Sequence, residues 1–440
     1  MYLSEDIKKK WQPIVEHEAL PKIEDPYRKA VTTIVLENQA RFTKEKTGRE
    51  LMVEATSSDA NNVTAGVDKY DPVLVSLVRR STPNLLAFDV AGVQPMSGPT
   101  GLLFAIRARY TNQSGGEALF GEANTAHSGT GTHAGDTSGF PADFFGVGDP
   151  AVGTDKGVGM DVAVGEAKGT DSGTAFNQMA FTIEKTSVEA KTRALKAEYT
   201  TELAQDLRAI HGLDAENELA NILSTEILAE QNRELIRTIN ISAKYGFGGT
   251  GSFDAASTVS GGDADGRWFV ERFKAVLFQI ELEANEIAKS TRRGRGNFVI
   301  TSSNVASALA MAGILDYAPA MSTNLQVDDT GNLFAGVING RIKVYVDPYA
   351  TIDYVTVGYR GSNQFDAGIF WAPYVPLEMV RAVGEDSFQP KIGFKTRYGI
   401  VANPFATIVD PIAGTPVGGQ SGLGAGQNFY YRKFRVLNLI

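Results

Sequence analysis

The chain has 440 residues, 43% of them hydrophobic and 21% charged, and a formal net charge of −9. That leaves room for two or three domains with a sizeable core. The absence of cysteine excludes disulfides, Cys-ligated zinc and thiol catalysis, and the four histidines, His17, His127, His133 and His211, are too scattered for a His-rich metal site.

An acidic chain without a basic tail is poorly suited to condensing nucleic acid, which rests on phosphate neutralisation. No long apolar run offers a membrane span, and the charged start SEDIKKK shows no export signal. Residues 1–54 are rich in Lys, Glu and Arg and hold one glycine, Gly48, of the 46 in the chain. Asp25 to about Lys46 reads as a moderately amphipathic helix, either a solvated arm or a detachable segment. At Ser57 the composition changes to the loop SSDANNVTAG, just after Met52-Val53-Glu54-Ala55.

From Asp71 the pattern turns extended, with PVLVSLVRR as a short apolar helix or strand and Pro83, Pro95, Gly98, Pro99 and Gly101 as punctuation. Leu102, Phe104, Ile106, Ala108 and Tyr110 alternate with Leu103, Ala105, Arg107 and Arg109. Met179, Phe181 and Ile183 alternate in the same way with Gln178, Thr182 and Glu184, so the two runs are expected to pair as the stem of a long β-arm. Between them, Thr111–Phe176 is rich in Gly, Ala, Thr and Asp, with Leu119, Phe120, Phe140, Phe144 and Phe145 too few for a robust core. A segment of this length is expected to be an inserted interaction module.

Thr200–His211 places Leu203, Leu207 and Ile210 on one helical face. Asp214 to about Lys244 carries Leu219, Ile222, Leu223, Ile227, Leu235, Ile236 and Ile239 at helical spacing, with Asp214 placed to cap the first turn and Gly246 and Gly248 past the end. At about 1.5 Å per residue it would be a spine of roughly 45 Å. Arg267–Lys289 is a second amphipathic helix, Phe298–Ile300 a buried strand, and Asn304 to about Met311 a further helix. RIKVYVD, DYVTVGYR, FDAGIFWAPYVPLE, IGFKTRYGIVANP and, after a Gly/Pro linker, FYYRKFRVLNLI supply more strands. The mixture points to an α+β class.

No catalytic constellation emerges. Gly246-Phe247-Gly248-Gly249-Thr250-Gly251 fits GxGxxG but follows a helix where the dinucleotide fingerprint needs a strand. Asp263-Ala264-Asp265-Gly266 lacks the downstream glutamate of a calcium loop and reads as a turn. Arg292, Arg293 and Arg295 form a basic cluster, either a solvated turn or a phosphate or subunit contact. Trp11, Trp268 and Trp371 read as packing residues. No cofactor or metal is expected, and an enzyme is the least favoured class.

Arg79–Tyr110, Phe181–Leu219, Phe334–Gly361 and Gly393–Phe405 closely resemble the major capsid protein of T-even-like tailed phages, colinearly from about residue 70 to the C-terminus. The resemblance implies the HK97-like capsid fold, with a long spine helix, an extended β-arm carrying an inserted domain, and an axial domain. Its expected divisions are a removable segment 1–54, an N-arm and start of the peripheral domain 55–101, and the extended loop 102–183 with its insertion at about 111–176. The peripheral domain 184–265 with spine 214–244, the axial domain 266–393 and a return to the peripheral domain over 394–440 complete them.

The resemblance further implies hexameric capsomers in an icosahedral head enclosing double-stranded DNA without sequence-specific binding. Implied partners are other copies of the chain, a vertex capsid protein, a prohead protease and scaffold core during assembly, and decoration proteins. The implied protease cuts after glutamate in an apolar-x-Glu context, which Met52, Glu54 and Ala55 fit, with Val35-Leu36-Glu37 a poorer rival. A vertex (pentamer) subunit and a cellular nanocompartment shell are the alternatives.

Overall fold

One helix holds two sheets together, and a narrow ribbon projects beyond them. The computed structural model describes residues 5–16, 22–23, 25–47, 78–79, 82, 85–116, 118–119, 123–131, 157–170, 175–246, 251–254, 269–312, 315–316, 333–363, 365–384, 389–404, 406 and 423–438. The chain opens with helices α1 (Glu5–Val15) and α2 (Pro26–Thr47), then a short α3 (Ala87–Val90), β1 (Gly92–Val93) and β2 (Thr100–Tyr110). After α4 (Val162–Ala167) come β3 (Met179–Glu189), β4 (Lys191–Glu198), α5 (Thr201–His211) and α6 (Ala215–Ser242). Next follow β5 (Ala243–Tyr245), β6 (Ser252–Asp254), α7 (Phe269–Thr291), β7 (Phe298–Ser302), α8 (Ser303–Met311) and β8 (Leu315–Asp316). The chain continues with β9 (Leu333–Ile338), β10 (Ile342–Asp347), β11 (Tyr354–Gly358), β12 (Ile369–Val383), β13 (Pro390–Ala402) and β14 (Asn428–Leu437).

The spine is α6. Asp214 accepts from the Glu216 N–H and caps it as expected. Leu223, Ile227, Leu235, Ile236 and Ile239 are buried. Ile222 is instead 61% exposed, because it lies off the line joining Leu219, Leu223 and Ile227. The helix packs against β4 and β13 of one sheet and β14 of the other. Being covered on more than one side, it also buries Gln231 and Asn232, which bond the Thr396 hydroxyl and the Leu86 N–H. No glycine caps its end. Ala243 is extended and leads straight into β5, which lies parallel to β14. Gly246 instead leaves room for the Glu283 carboxylate, which a Cβ there would meet at 2.6–2.8 Å.

The four-stranded sheet has the order β1-β12-β13-β4, and the larger sheet runs β5-β14-β11-β7-β10-β9-β8 with β6 also on β14. Helix α7 supplies Phe273, Val276, Ile280, Ala284 and Ile287 to a core shared with Val299, Val344, Val355, Val357 and Phe434. This pairing bears on the expected divisions. A break at 393 falls inside β13 and would part β12 from the strand it pairs with. The C-terminal strand β14 joins the larger sheet.

The N-terminal helices correct one expectation, that of a solvated arm. Trp11, Val15, Val31, Val35, Leu36 and Ala40 belong to the largest buried cluster, together with Phe88, Trp371 and Leu377. The amphipathic reading failed because α2 also buries polar residues. Thr32 and Thr33 return their hydroxyl hydrogen bonds to the carbonyls of Arg28 and Lys29, and Asn38 donates to those of Met96 and Tyr374. The Arg79 guanidinium donates to the Val15 carbonyl, and Arg28 pairs with Asp89 at 2.8 Å.

Two predictions follow from these contacts. The buried Asp347 is held by Arg233 at 2.6 Å, the Tyr354 hydroxyl at 2.8 Å and the Tyr349 N–H at 3.0 Å. Arg233→Met removes the cation and should destabilise the subunit by roughly 3 kcal/mol in urea unfolding. Burial pushes the Glu37 carboxyl up, but hydrogen bonds from Trp11 and Lys10 and the charges of Lys10 and Arg41 outweigh it and hold the group below its usual value. A depressed value makes this contact strongest above the ordinary carboxylate range and weakens it as pH falls through the lowered value. Hydrogen exchange in residues 5–16 should therefore quicken on acidification, and Glu37→Gln should flatten that dependence.

Candidate assembly surface

Strands β2 and β3 pair antiparallel in strict register from Thr100↔Glu189 to Tyr110↔Met179, with no further strand beside them among the described residues. Directly opposed residues share a face, so period-two patterning on both strands sorts the ribbon into two unlike sides. One side carries Leu102, Phe104 and Ile106 from β2 and Ile183, Phe181 and Met179 from β3, each 51–65% exposed. The other side carries Leu103 and Val188 toward the base and Arg109 toward the tip. Arg109, 8% exposed, donates to the Thr182 hydroxyl at 3.1 Å and the Gly115 carbonyl at 2.8 Å, and lies 3.7 Å from Glu184.

The ribbon is fixed at its base. Leu103 and Val188 are buried with Met96, Phe370 and Ala372, and the Ala190 N–H bonds the Pro99 carbonyl. Close packing sets Gly399 there, since a Cβ would come within 2.4 Å of Val188. Beyond Ala190, strand β4 passes into the four-stranded sheet, where Arg193 pairs with Glu230 at 2.8 Å and Glu234 at 2.5 Å. Burial and its bond to Glu234 push the Tyr398 phenol up, so it stays protonated beside Arg193 and donates to Glu234.

At the far end, Tyr110 stacks edge-on against His127, whose ring nitrogen bonds the Gln178 carbonyl at 3.0 Å. Among the described residues of 111–178 only Ala118 is a buried apolar residue, and it joins none of the three core clusters; Leu119 is 77% exposed, and α4 has no buried residue. An isolated two-stranded ribbon is marginal in water, and burying its six half-exposed apolar side chains is worth on the order of 1 kcal/mol each. The arrangement is built to be completed by another surface.

The expected cleavage residues Met52, Glu54 and Ala55 lie outside the described residues. The rival Glu37 is helical, between buried Leu36 and Asn38, and accepts from Trp11 at 2.8 Å and Lys10 at 3.1 Å. Of the basic cluster, Arg293 lies 3.7 Å from Asp366 and Arg295 pairs with Glu281, so both are tied down within the subunit. Gly246 follows strand β5 and Gly251 precedes strand β6, not a helix, which leaves the GxGxxG match without its context. Sequence reading missed the Arg193 network, because a lone arginine in an alternating strand does not reveal which carboxylates it meets.

A family model described as "Major capsid protein Gp23" matches residues 67–436. The major capsid protein of Salmonella phage ViI is 43% identical over 454 residues, covering 99% of both chains. That of Enterobacteria phage T4 is 36% identical over 512 residues, covering 97% of each. A capsid vertex protein of phage T4 is 32% identical over 247 residues, 52% of this chain and 54% of that one.

The exposed face can be tested without disturbing the subunit core. Phe181→Asp with Ile183→Asp should leave subunit stability within about 0.5 kcal/mol per site, since both side chains face solvent. The same pair should abolish association, read by size-exclusion chromatography and negative-stain microscopy.

Proposed function

The chain belongs to the Gp23 major capsid protein family, and on that premise we propose how its surfaces build and mature a phage head. It is a structural capsid subunit from a family that is not an enzyme family, and no helix among the described residues is long and apolar enough to cross a membrane. The observation that carries the assembly reading is the exposed apolar face of the β2–β3 ribbon. In a closed shell that face docks on a neighbouring copy, and many modest contacts repeated around closed symmetry stabilise the whole. Hexamers are the favoured unit because similarity to major capsid proteins runs the full length, whereas similarity to the vertex protein covers about half.

The head would contain a vertex capsid protein at its pentamers, and a scaffold core and prohead protease would act during assembly. Decoration proteins would bind outside, and the Gly-rich insertion is a candidate surface for them. A net charge of −9 suits a shell filled by a motor, because an acidic lining does not hold the incoming DNA.

Maturation is proposed to cut between Glu54 and Ala55. The packing of the rival supports this choice: Glu37 lies on a helix with Val35 and Leu36 buried, and a protease needs an extended, accessible chain. The removed segment includes α1 and α2, which help fill the core while still tethered. Cutting the tether turns an intramolecular contact into a bimolecular one, so the pair can leave by dilution. Mature particles should therefore contain a chain beginning at Ala55 by intact mass and N-terminal sequencing, and Glu54→Gln should leave the precursor intact. A mature chain beginning at Asn38 or still at Met1 would overturn the assignment.

A further inference from the structure

A second apolar surface in the subunit lacks a cover, and it lies at the other end of the strand that carries the ribbon. Helix α5 is well made: the Thr200 hydroxyl accepts from the Leu203 N–H at 3.2 Å, and Gly212, at φ +66°, ends the helix in the left-handed region. Yet α5 has no buried residue. Leu203 is 51% exposed, Ile210 74%, and Leu213, just past the helix, 46%. An eleven-residue helix is marginal by itself in water, and this one, packed against the spine, leaves its apolar stripe open.

We propose that the acceptor for the ribbon is the α5 stripe of a second copy of this chain, a step that rests on reading the ribbon as the assembly element. Both surfaces are exposed in one subunit, so neither covers the other. Strand β3, with the ribbon tip at Met179, continues through Ala190 into β4, which ends just before α5. Strand geometry gives β3 and β4 together a contour of about 60 Å. Donor and acceptor thus occupy separate places on the subunit, which makes the contact heterologous, head to tail, and such contacts close into rings when the rotation per copy allows.

Charge fits as well. Lys185 is exposed within the apolar face, opposite Phe104, and Glu202 and Asp206 are exposed beside Leu203 on α5. A neighbouring copy is also the partner present at every position of a shell.

Because the chain has no cysteine, introduced thiols are the only ones in the assembly. Full-length Ile183→Cys/Ile210→Cys and Phe104→Cys/Leu203→Cys chains are assembled, treated with a short bismaleimide and run on a denaturing gel, with Ile183→Cys/Met311→Cys as control. The expected result is a ladder ending at the closed ring for at least one of the first two pairs and none for the control. Co-assembly of separate Ile183→Cys and Ile210→Cys chains should give crosslinked dimers only. No ladder from either pair, with Ile183→Cys shielded from thiol reagents in shells, overturns the α5 acceptor while leaving the ribbon as an assembly element. An Ile183→Cys thiol that stays fully reactive in shells overturns both. Leu203→Asp/Ile210→Asp chains should fold and fail to assemble, and normal shells from them would overturn the acceptor.

Discussion

A single turn of the spine ties the molecule together. Glu230 and Glu234 reach one way to Arg193 on β4, and Arg233 reaches the other way to the buried Asp347 at the end of β10. The ribbon's root and the larger sheet are therefore fixed to the same few residues of α6. These pairs differ in kind. Arg193 and its carboxylates are about one-third exposed and worth little as isolated ion pairs, so their contribution is directional, with Tyr398 locking the fork. Asp347 is 1% exposed, and its charge is tolerable only with Arg233 in place. Through β4 and this turn the ribbon's root is connected to the second sheet.

How much of this the sequence discloses depends on whether the governing interaction is local. The ribbon was legible because alternation is a property of each strand alone, and Leu102–Tyr110 and Met179–Ile183 carry it cleanly. The spine and its Asp214 cap were legible for the same reason. Helix α2 was misjudged because its burial is decided by tertiary contacts. Thr32, Thr33 and Asn38 fall on different sides of the helix, and each is satisfied inside the protein. Which sheet β12 and β14 would join was not legible, because a strand's own pattern carries no record of the neighbour it pairs with. On α5 the shared face of Leu203 and Ile210 was legible, and both side chains lie exposed in the subunit.

Both unmatched surfaces and the buried N-terminal pair reflect one physical situation, that this chain is not a complete folding unit of its final assembly. In the full chain, α1 and α2 cover Trp371, Phe88 and Leu377, while the ribbon and α5 are left uncovered. Core filling that comes from within the chain is available at once, before any neighbour arrives. Filling that comes from neighbours is available only at high copy number and correct geometry. Such a division lets a subunit remain folded while it waits, and it ties the remaining apolar burial to shell closure.

That division also bears on why the exposed surfaces do not simply aggregate. The apolar face of the ribbon is narrow and interrupted by Lys185, and its reverse side is occupied by Arg109 and its partners. Charged residues near unpaired strands are a known device against promiscuous edge pairing. A partner must therefore match both a thin apolar line and a cation within it, a requirement that a random hydrophobic surface does not meet. The α5 stripe, flanked by Glu202 and Asp206, does meet it. Specificity then arises from charge set inside an apolar contact, and the apolar area supplies the strength once the register is right.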